Sequence, residues 1–174
     1  VSDELIEKTA AVSNKALFVI GRTAGEDQDN AAAEGSYLLR QEELEVLRQI
    51  IAHFEKVILV FNTGNIMDMS FLEQPEFKDK VSSIIYAWHG GIEGGNAIAD
   101  VLTGKVTPQG KLTDTIARNI EDYPSTKNHG GEKQNLYQED IYIGYRYFET
   151  FKKDAVLYPF GFGLSYTEFD IEAV

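Results

Sequence analysis

Apolar residues along the chain follow two patterns. Ala16-Leu17-Phe18-Val19-Ile20, Val57-Ile58-Leu59-Val60-Phe61 and Ile84-Ile85-Tyr86-Ala87-Trp88 are unbroken apolar runs of strand length, which predicts strands covered on both faces, as in a parallel sheet. Leu44, Leu47, Ile50, Ile51 and Phe54 instead recur at helical spacing, with Glu42, Glu43, Glu45, Arg48 and Glu55 on the opposite side, predicting an amphipathic helix. Ser2 followed by Asp3 and Glu4 reads as an N-cap with acidic residues in the first turn, so a helix opens the chain. A further helix is expected from about Glu93 to Leu102. Strands alternating with helices imply βαβ units with right-handed crossovers, hence an α/β fold with a mostly parallel sheet. Beyond Gly104 the pattern becomes irregular: Pro108, Gly110, Pro124 and the polar run 127–134 mark turns and a long loop. Residues 167–174 alternate weakly and are read as the start of a strand in a following β domain.

At 174 residues and 43% hydrophobic, the chain is long enough for one sizeable core, so residues 1–174 are treated as a single domain. The net charge of −12 without any basic run argues against nucleic acid and anionic membrane surfaces as partners, while a neutral sugar would not feel that field. The absence of cysteine removes disulfides, thiolate nucleophiles and zinc–thiolate sites. It is compatible with the cytoplasm, the slightly favoured location, and does not exclude a secreted bacterial protein. The apolar runs fall far below the roughly 20 residues that span a bilayer. His53, His89 and His129 are scattered, so neither a metal site nor a cofactor is expected.

Four strings give the chain a family likeness: GRTAGEDQDN near the start, WHGGIEGGNAIADVL and GKLTDTI in the middle, and YIGYRYFET…LYPFGFGLSYTEF at the end. In this order they resemble the C-terminal α/β sandwich domain of glycoside hydrolase family 3, which includes many β-glucosidases. The resemblance implies a three-layer α/β/α sandwich belonging to a larger multidomain enzyme. It also implies that the family domain's first strand and helix would precede Val1. A sheet edge left open in that way invites self-association, so a homo-oligomer is a further expectation.

Gly25-Glu26-Asp27-Gln28-Asp29 is an acidic loop leaving the carboxyl end of a predicted strand, the side on which open α/β sheets bind ligands. Read from the residues alone, its carboxylates either serve proton transfer and sugar binding or form a solvated turn. In the family, a Glu in a Gly-Glu-Gly loop is the general acid/base and an Asp three positions on lies nearby. The resemblance therefore implies Glu26 as the acid/base and Asp29 as its substrate-binding neighbour. This chain departs from the pattern at Asp27, where Gly is usual, and at Asn30, where Arg is more common. A second acid beside Glu26 would raise its pKa if it faced inward. Glu139 in YQEDIYIGYR is the other substrate-binding candidate; the family form has Gly where Asp140 stands.

The turn at Gly90, Gly91, Gly94 and Gly95 fits no phosphate-loop spacing and is read as close backbone packing beside Glu93. Tyr142, Tyr145, Tyr147, Phe148, Phe160, Phe162 and Tyr166 are read as packing at a domain interface, with Arg146 pairing or stacking among them.

The leading expectation is a domain of a retaining β-glycosidase, most simply a β-glucosidase, with β-xylosidase as a variant. It would act on a β-linked glucoside or oligosaccharide, supplying the acid/base to a (β/α)₈ barrel of the same parent chain that carries the Asp nucleophile. The isolated chain would then be inactive. A non-catalytic carbohydrate-binding or domain-interface module is the alternative, and a nucleotide-binding α/β domain a weaker one.

Overall fold

The computed structural model describes residues 1–23, 30–170 and 172. Ser2 accepts a hydrogen bond from the Leu5 amide and opens α1 (Asp3–Ala10), with Asp3 and Glu4 in the first turn. There follow β1 (Lys15–Gly21), α2 (Gln41–His53), β2 (Lys56–Asn62), β3 (Val81–Tyr86), α3 (Gly94–Leu102), β4 (Ile116–Ala117), α4 (Tyr145–Phe151) and β5 (Val156–Tyr158). The strands β1, β2 and β3 lie side by side in that order, all parallel, so the fold is α/β as expected.

The register sets Phe18, Leu59 and Ile84 side by side, and likewise Ile20, Phe61 and Tyr86. Because side chains alternate across a strand, these six share one face. That face packs against Leu47 of α2 and against Met67, Met69, Phe71 and Phe77 from the connection between β2 and β3. Burying this set removes it from water and supplies the main driving force for the domain.

The expected burial of the first strand on both faces does not hold. Leu17 and Val19 are 50% and 51% exposed, whereas Val60 beside Val19 is 2% exposed. The reason is position: β1 is an end strand of the three, while β2 is flanked on both sides. The third strand also sits earlier than its apolar run suggests. Val81 begins it although Ser82 and Ser83 interrupt the apolar pattern. Trp88 lies beyond its end with φ of 54°, a left-handed conformation that cannot continue a strand.

The irregular C-terminal third contains a second small cluster. β4 and β5 pair antiparallel, and Phe148 of α4 is buried against Ala117 and Ala155. Tyr123 meets the Phe148 ring edge-on, with centroids 5.4 Å apart. Residues 167–170 are in no strand, and 171, 173 and 174 of the tail lie outside the described residues.

Lys152 just beyond α4 donates to Asp122 at 2.7 Å and ties this cluster to the preceding loop. Burial alone would raise the Asp122 pKa; the hydrogen bond and charge of Lys152, with bonds from Asn119, outweigh it and hold the carboxyl below its ordinary value. A lowered folded pKa means stability that is complete above the unfolded pKa and is lost as pH falls through the folded one. Between about pH 5 and about pH 2.5, the native chain is expected to lose more stability to urea than Asp122→Asn. Equal losses, followed by far-ultraviolet circular dichroism, would contradict this role for the pair.

Candidate functional site at the carboxyl end of the sheet

Arg22 is the first residue beyond β1. Its Nη1 and Nη2 donate to the two Glu43 carboxylate oxygens at 2.7 and 2.6 Å, and Nη1 also reaches the Gly21 carbonyl at 2.9 Å. Nη2 lies 3.5 Å from the Leu38 carbonyl. Only a guanidinium has the planar fork for this two-bond pairing. Glu43, in the first turn of α2, also accepts the Arg40 amide at 2.8 Å, serving an N–H that the helix leaves without a partner. Burial pushes the Glu43 pKa up, but the Arg22 and Arg40 hydrogen bonds and the nearby positive charges prevail and lower it. The Arg22 side chain is 9% exposed, and its Nε is buried without a hydrogen-bond partner among the described residues.

Asn30 is the matching anchor on the other side of the acidic loop. Its Nδ2 donates to the Ile66 carbonyl at 2.9 Å, and its Oδ1 accepts from the Ser36 hydroxyl at 3.4 Å. Glu26 and Asp29 themselves lie outside the described residues. At the end of β2, buried Thr63 accepts the Asn65 amide at 3.3 Å, and the Asn65 carbonyl accepts the Tyr86 hydroxyl at 2.7 Å. Burial raises the Tyr86 pKa well above its ordinary value. Phe61, Tyr86 and Trp88 form a ladder of rings with centroid spacings of 5.3 and 4.5 Å.

The glycine turn after β3 is a packing device, as its spacing suggests, but at specific positions. A Cβ on Gly90 would fall 2.6 Å from the Gly94 Cα, and Gly91 has φ of 65°. Gly95 has open space around it. Glu93 takes the Asn96 amide at 2.6 Å. His89 is exposed, and His53 Nδ1 lies 2.8 Å from the Gln49 carbonyl on α2.

An open cavity of about 420 Å³ has Ile66, Asp114, Tyr123, Tyr145, Arg146 and Phe160 in its wall. Ile66 thus links the Asn30 anchor to the cavity. Tyr145 and Phe160 stack at 4.5 Å, and the Arg146 guanidinium lies 5.6 Å from the Tyr145 ring centre. Among the described residues, the Asp114 carboxylate accepts the neighbouring Thr113 hydroxyl, at 2.9 Å. The Tyr123 hydroxyl donates to the Thr115 carbonyl at 2.9 Å and accepts the Ala117 amide at 2.8 Å; burial pushes its pKa up to about 12. A carboxylate, a guanidinium and exposed rings in one cavity can hydrogen-bond hydroxyls and stack on apolar faces of a ligand.

Glu139 is half-buried in a turn and does not line this cavity. Asp140 beside it has φ of 50°, a conformation open to Gly and tolerated by Asp, which accounts for an aspartate in a position suited to glycine. Of the tail aromatics, Phe148 is core, whereas Tyr142, Tyr145, Phe160, Phe162 and Tyr166 remain 37–79% exposed. Arg22 and Asp114 were not singled out by sequence reasoning, although each lies in a string quoted for its likeness, and Asn30 was noted only as a departure from the family pattern.

The family model for the glycosyl hydrolase family 3 C-terminal domain matches residues 2–145. A β-glucosidase of Ruminococcus albus is 49% identical over 173 residues, covering 99% of this chain and 18% of that protein. A solved β-glucosidase structure from Paenibacillus barengoltzii superposes with a TM-score of 0.92 at 52% identity, covering 97% of this chain and 18% of the other. β-Glucosidase 3B of Thermotoga neapolitana, solved with glucose, gives a TM-score of 0.85 at 36% identity over 97% of this chain and 24% of the other. The chain therefore spans less than a quarter of each of these relatives.

Proposed function

The chain belongs to glycosyl hydrolase family 3, matching its C-terminal domain, and from that membership we propose that it supplies the general acid/base of a retaining β-glucosidase. Glu26 is the proton donor to the glycosidic oxygen and later the base for the incoming water. Asp29 and Glu139 bind the sugar or hold the cleft around it. The Asp nucleophile belongs to a (β/α)₈ barrel in the same polypeptide, and the exposed aromatic surface of α4 and the tail faces that barrel. The observation that carries this reading is the acidic sequence Gly25-Glu26-Asp27, which follows β1 in the chain and falls in sequence between Arg22 and Asn30, both held by hydrogen bonds.

Retaining hydrolysis needs two carboxyl groups about 5–5.5 Å apart, one to attack the sugar and one to move protons. With only the second of these, the isolated chain is inactive. In the full-length protein, an activated 2-deoxy-2-fluoro-β-glucoside is expected to trap a glycosyl ester, because the fluorine slows its hydrolysis. Peptide mapping should place the label on an Asp outside residues 1–174. A label inside them, or turnover of p-nitrophenyl β-glucoside by the isolated chain above a Glu26→Ala control, would overturn the division of labour.

The cavity beside Asp114 supports a second reading, a module that binds carbohydrate without chemistry. Oligosaccharide binding by the isolated chain, combined with unimpaired catalysis by the Glu26→Ala full-length protein, would favour it.

A further inference from the structure

We propose that the cavity beside Asp114 is a binding site for a neutral pyranose, with Asp114 accepting hydrogen bonds from its hydroxyls and Arg146 donating to them. The inference deepens the carbohydrate-binding reading of this cavity and rests on it; it is independent of Glu26. The wall comes from separate stretches of chain: Ile66 after β2, 113–115 and Tyr123 on either side of β4, the start of α4, and Phe160 after β5. One hydroxyl holds the second of these. Tyr123 donates to Thr115 and accepts from Ala117, clamping the chain on both sides of Ile116. Thr115 and Ile116 are 5% and 1% exposed, so Asp114 is carried on backbone that is fixed from its next residue onward. The edge-on contact of Tyr123 with Phe148 then sets this stretch against α4, which bears Tyr145 and Arg146. The lining groups are therefore in place before a ligand arrives, which lowers the ordering cost of binding.

The chemistry of the lining selects the ligand. Asp114 Oδ2 takes the Thr113 hydroxyl, while Oδ1 accepts from no donor among the described residues. Arg146 uses Nη1 on the Ile141 carbonyl at 3.3 Å and pairs with no carboxylate among the described residues. Tyr145 and Phe160 stack on each other, yet are 40% and 48% exposed and so keep apolar surface open to a ligand. A pyranose offers C–H surface to such rings and a rim of hydroxyls, each able to donate and to accept. An anion would meet Asp114 and the chain's charge of −12, and a cation would meet Arg146; a neutral ring meets neither penalty. The volume of about 420 Å³ lies within the range of about 300–1,000 Å³ usual for small-ligand sites.

The test titrates the chain of residues 1–174 with methyl β-glucoside, methyl β-glucuronide and cellobiose, following backbone amide signals by nuclear magnetic resonance. The glucoside and cellobiose are expected to move the signals of Asp114, Tyr145 and Arg146 saturably. The glucuronide should bind about tenfold more weakly, because its carboxylate is brought up to a like charge. Asp114→Asn keeps the side-chain size and should weaken the glucoside about tenfold, since a charge-assisted hydrogen bond becomes a neutral one. It should also narrow the gap between glucoside and glucuronide, which a merely structural role would not do. Asp114 and Arg146 are both exposed, so Asp114→Asn and Arg146→Gln should leave the fold intact, and Arg146→Gln should weaken the glucoside as well.

Equal or tighter binding of the glucuronide, or native affinity in Asp114→Asn, would overturn the inference. Saturable shifts confined to residues outside this wall would overturn it too, while leaving the carbohydrate-binding reading in place. No shift anywhere, with cellobiose included, would end both.

Discussion

In the full-length protein, Glu26→Ala is expected to slow cellobiose hydrolysis by about 10²–10⁴-fold, the usual contribution of general acid catalysis. The leaving group of cellobiose is a sugar alkoxide, which must be protonated as the bond breaks. An activated phenol leaves as its anion, so glycosylation by aryl glucosides should be affected far less. Deglycosylation then becomes limiting, because the same residue must deprotonate the incoming water. Azide needs no such help and should accelerate turnover of aryl glucosides, yielding a β-glucosyl azide with net retention. Equal loss on good and poor leaving groups, without azide rescue, would move the role elsewhere, and Glu139 would be the next residue to replace.

Phe148→Ala is expected to destabilise the domain by about 3–5 kcal/mol, the range for deleting a buried aromatic ring. Against a typical total of about 5–15 kcal/mol, this is a large fraction. The Phe148 ring is 1% exposed and touches Tyr123 and Tyr147 edge-on. α4 has only seven residues, too few to persist without tertiary support. Of its other aromatics, Tyr145 and Phe151 are 40% and 59% exposed and Tyr147 is half-buried against the same cluster, so Phe148 is the one residue of α4 that is fully buried. A fall of about 10 °C in the calorimetric midpoint should follow for a domain of this size. Amide exchange should quicken in α4 before it does in β1, β2 and β3. A loss under about 1 kcal/mol would mean that α4 is held by other contacts.

The parallel sheet and α2 were legible because their signals are long and local. Val57-Ile58-Leu59-Val60-Phe61 is both an apolar run and the central strand, and the stripe from Leu44 to Phe54 marks the face of α2 turned to the core. β4 and β5 are two and three residues long, too short for any periodicity to register. α4 reads as YRYFETF, aromatic on every side, so nothing in its pattern singles out Phe148 as the inward residue. That distinction depends on Ala117 and Ala155, small residues distant in sequence that make room for the ring.

The candidate site was legible as a loop and not as a geometry. The acidic string after Gly21 was visible, whereas its anchor depends on Glu43, which the helical pattern presents as one of several solvated acids. A pairing across 21 residues leaves no trace in spacing. Asp114 was passed over for a similar reason, since its aromatic neighbours Tyr145 and Phe160 arrive from the far end of the chain.

Trp88 is the single tryptophan of the chain, and its ring lies 4.5 Å from that of Tyr86 at the end of β3. The domain therefore contains its own optical gauge. Light absorbed by Tyr86 passes by resonance transfer to an indole at van der Waals distance and emerges as tryptophan emission. Every photon emitted by the indole originates at one place, the mouth of the sheet where the acidic loop also departs. Any change in polarity at that mouth would alter the colour and quenching of a signal to which no other tryptophan of these 174 residues contributes.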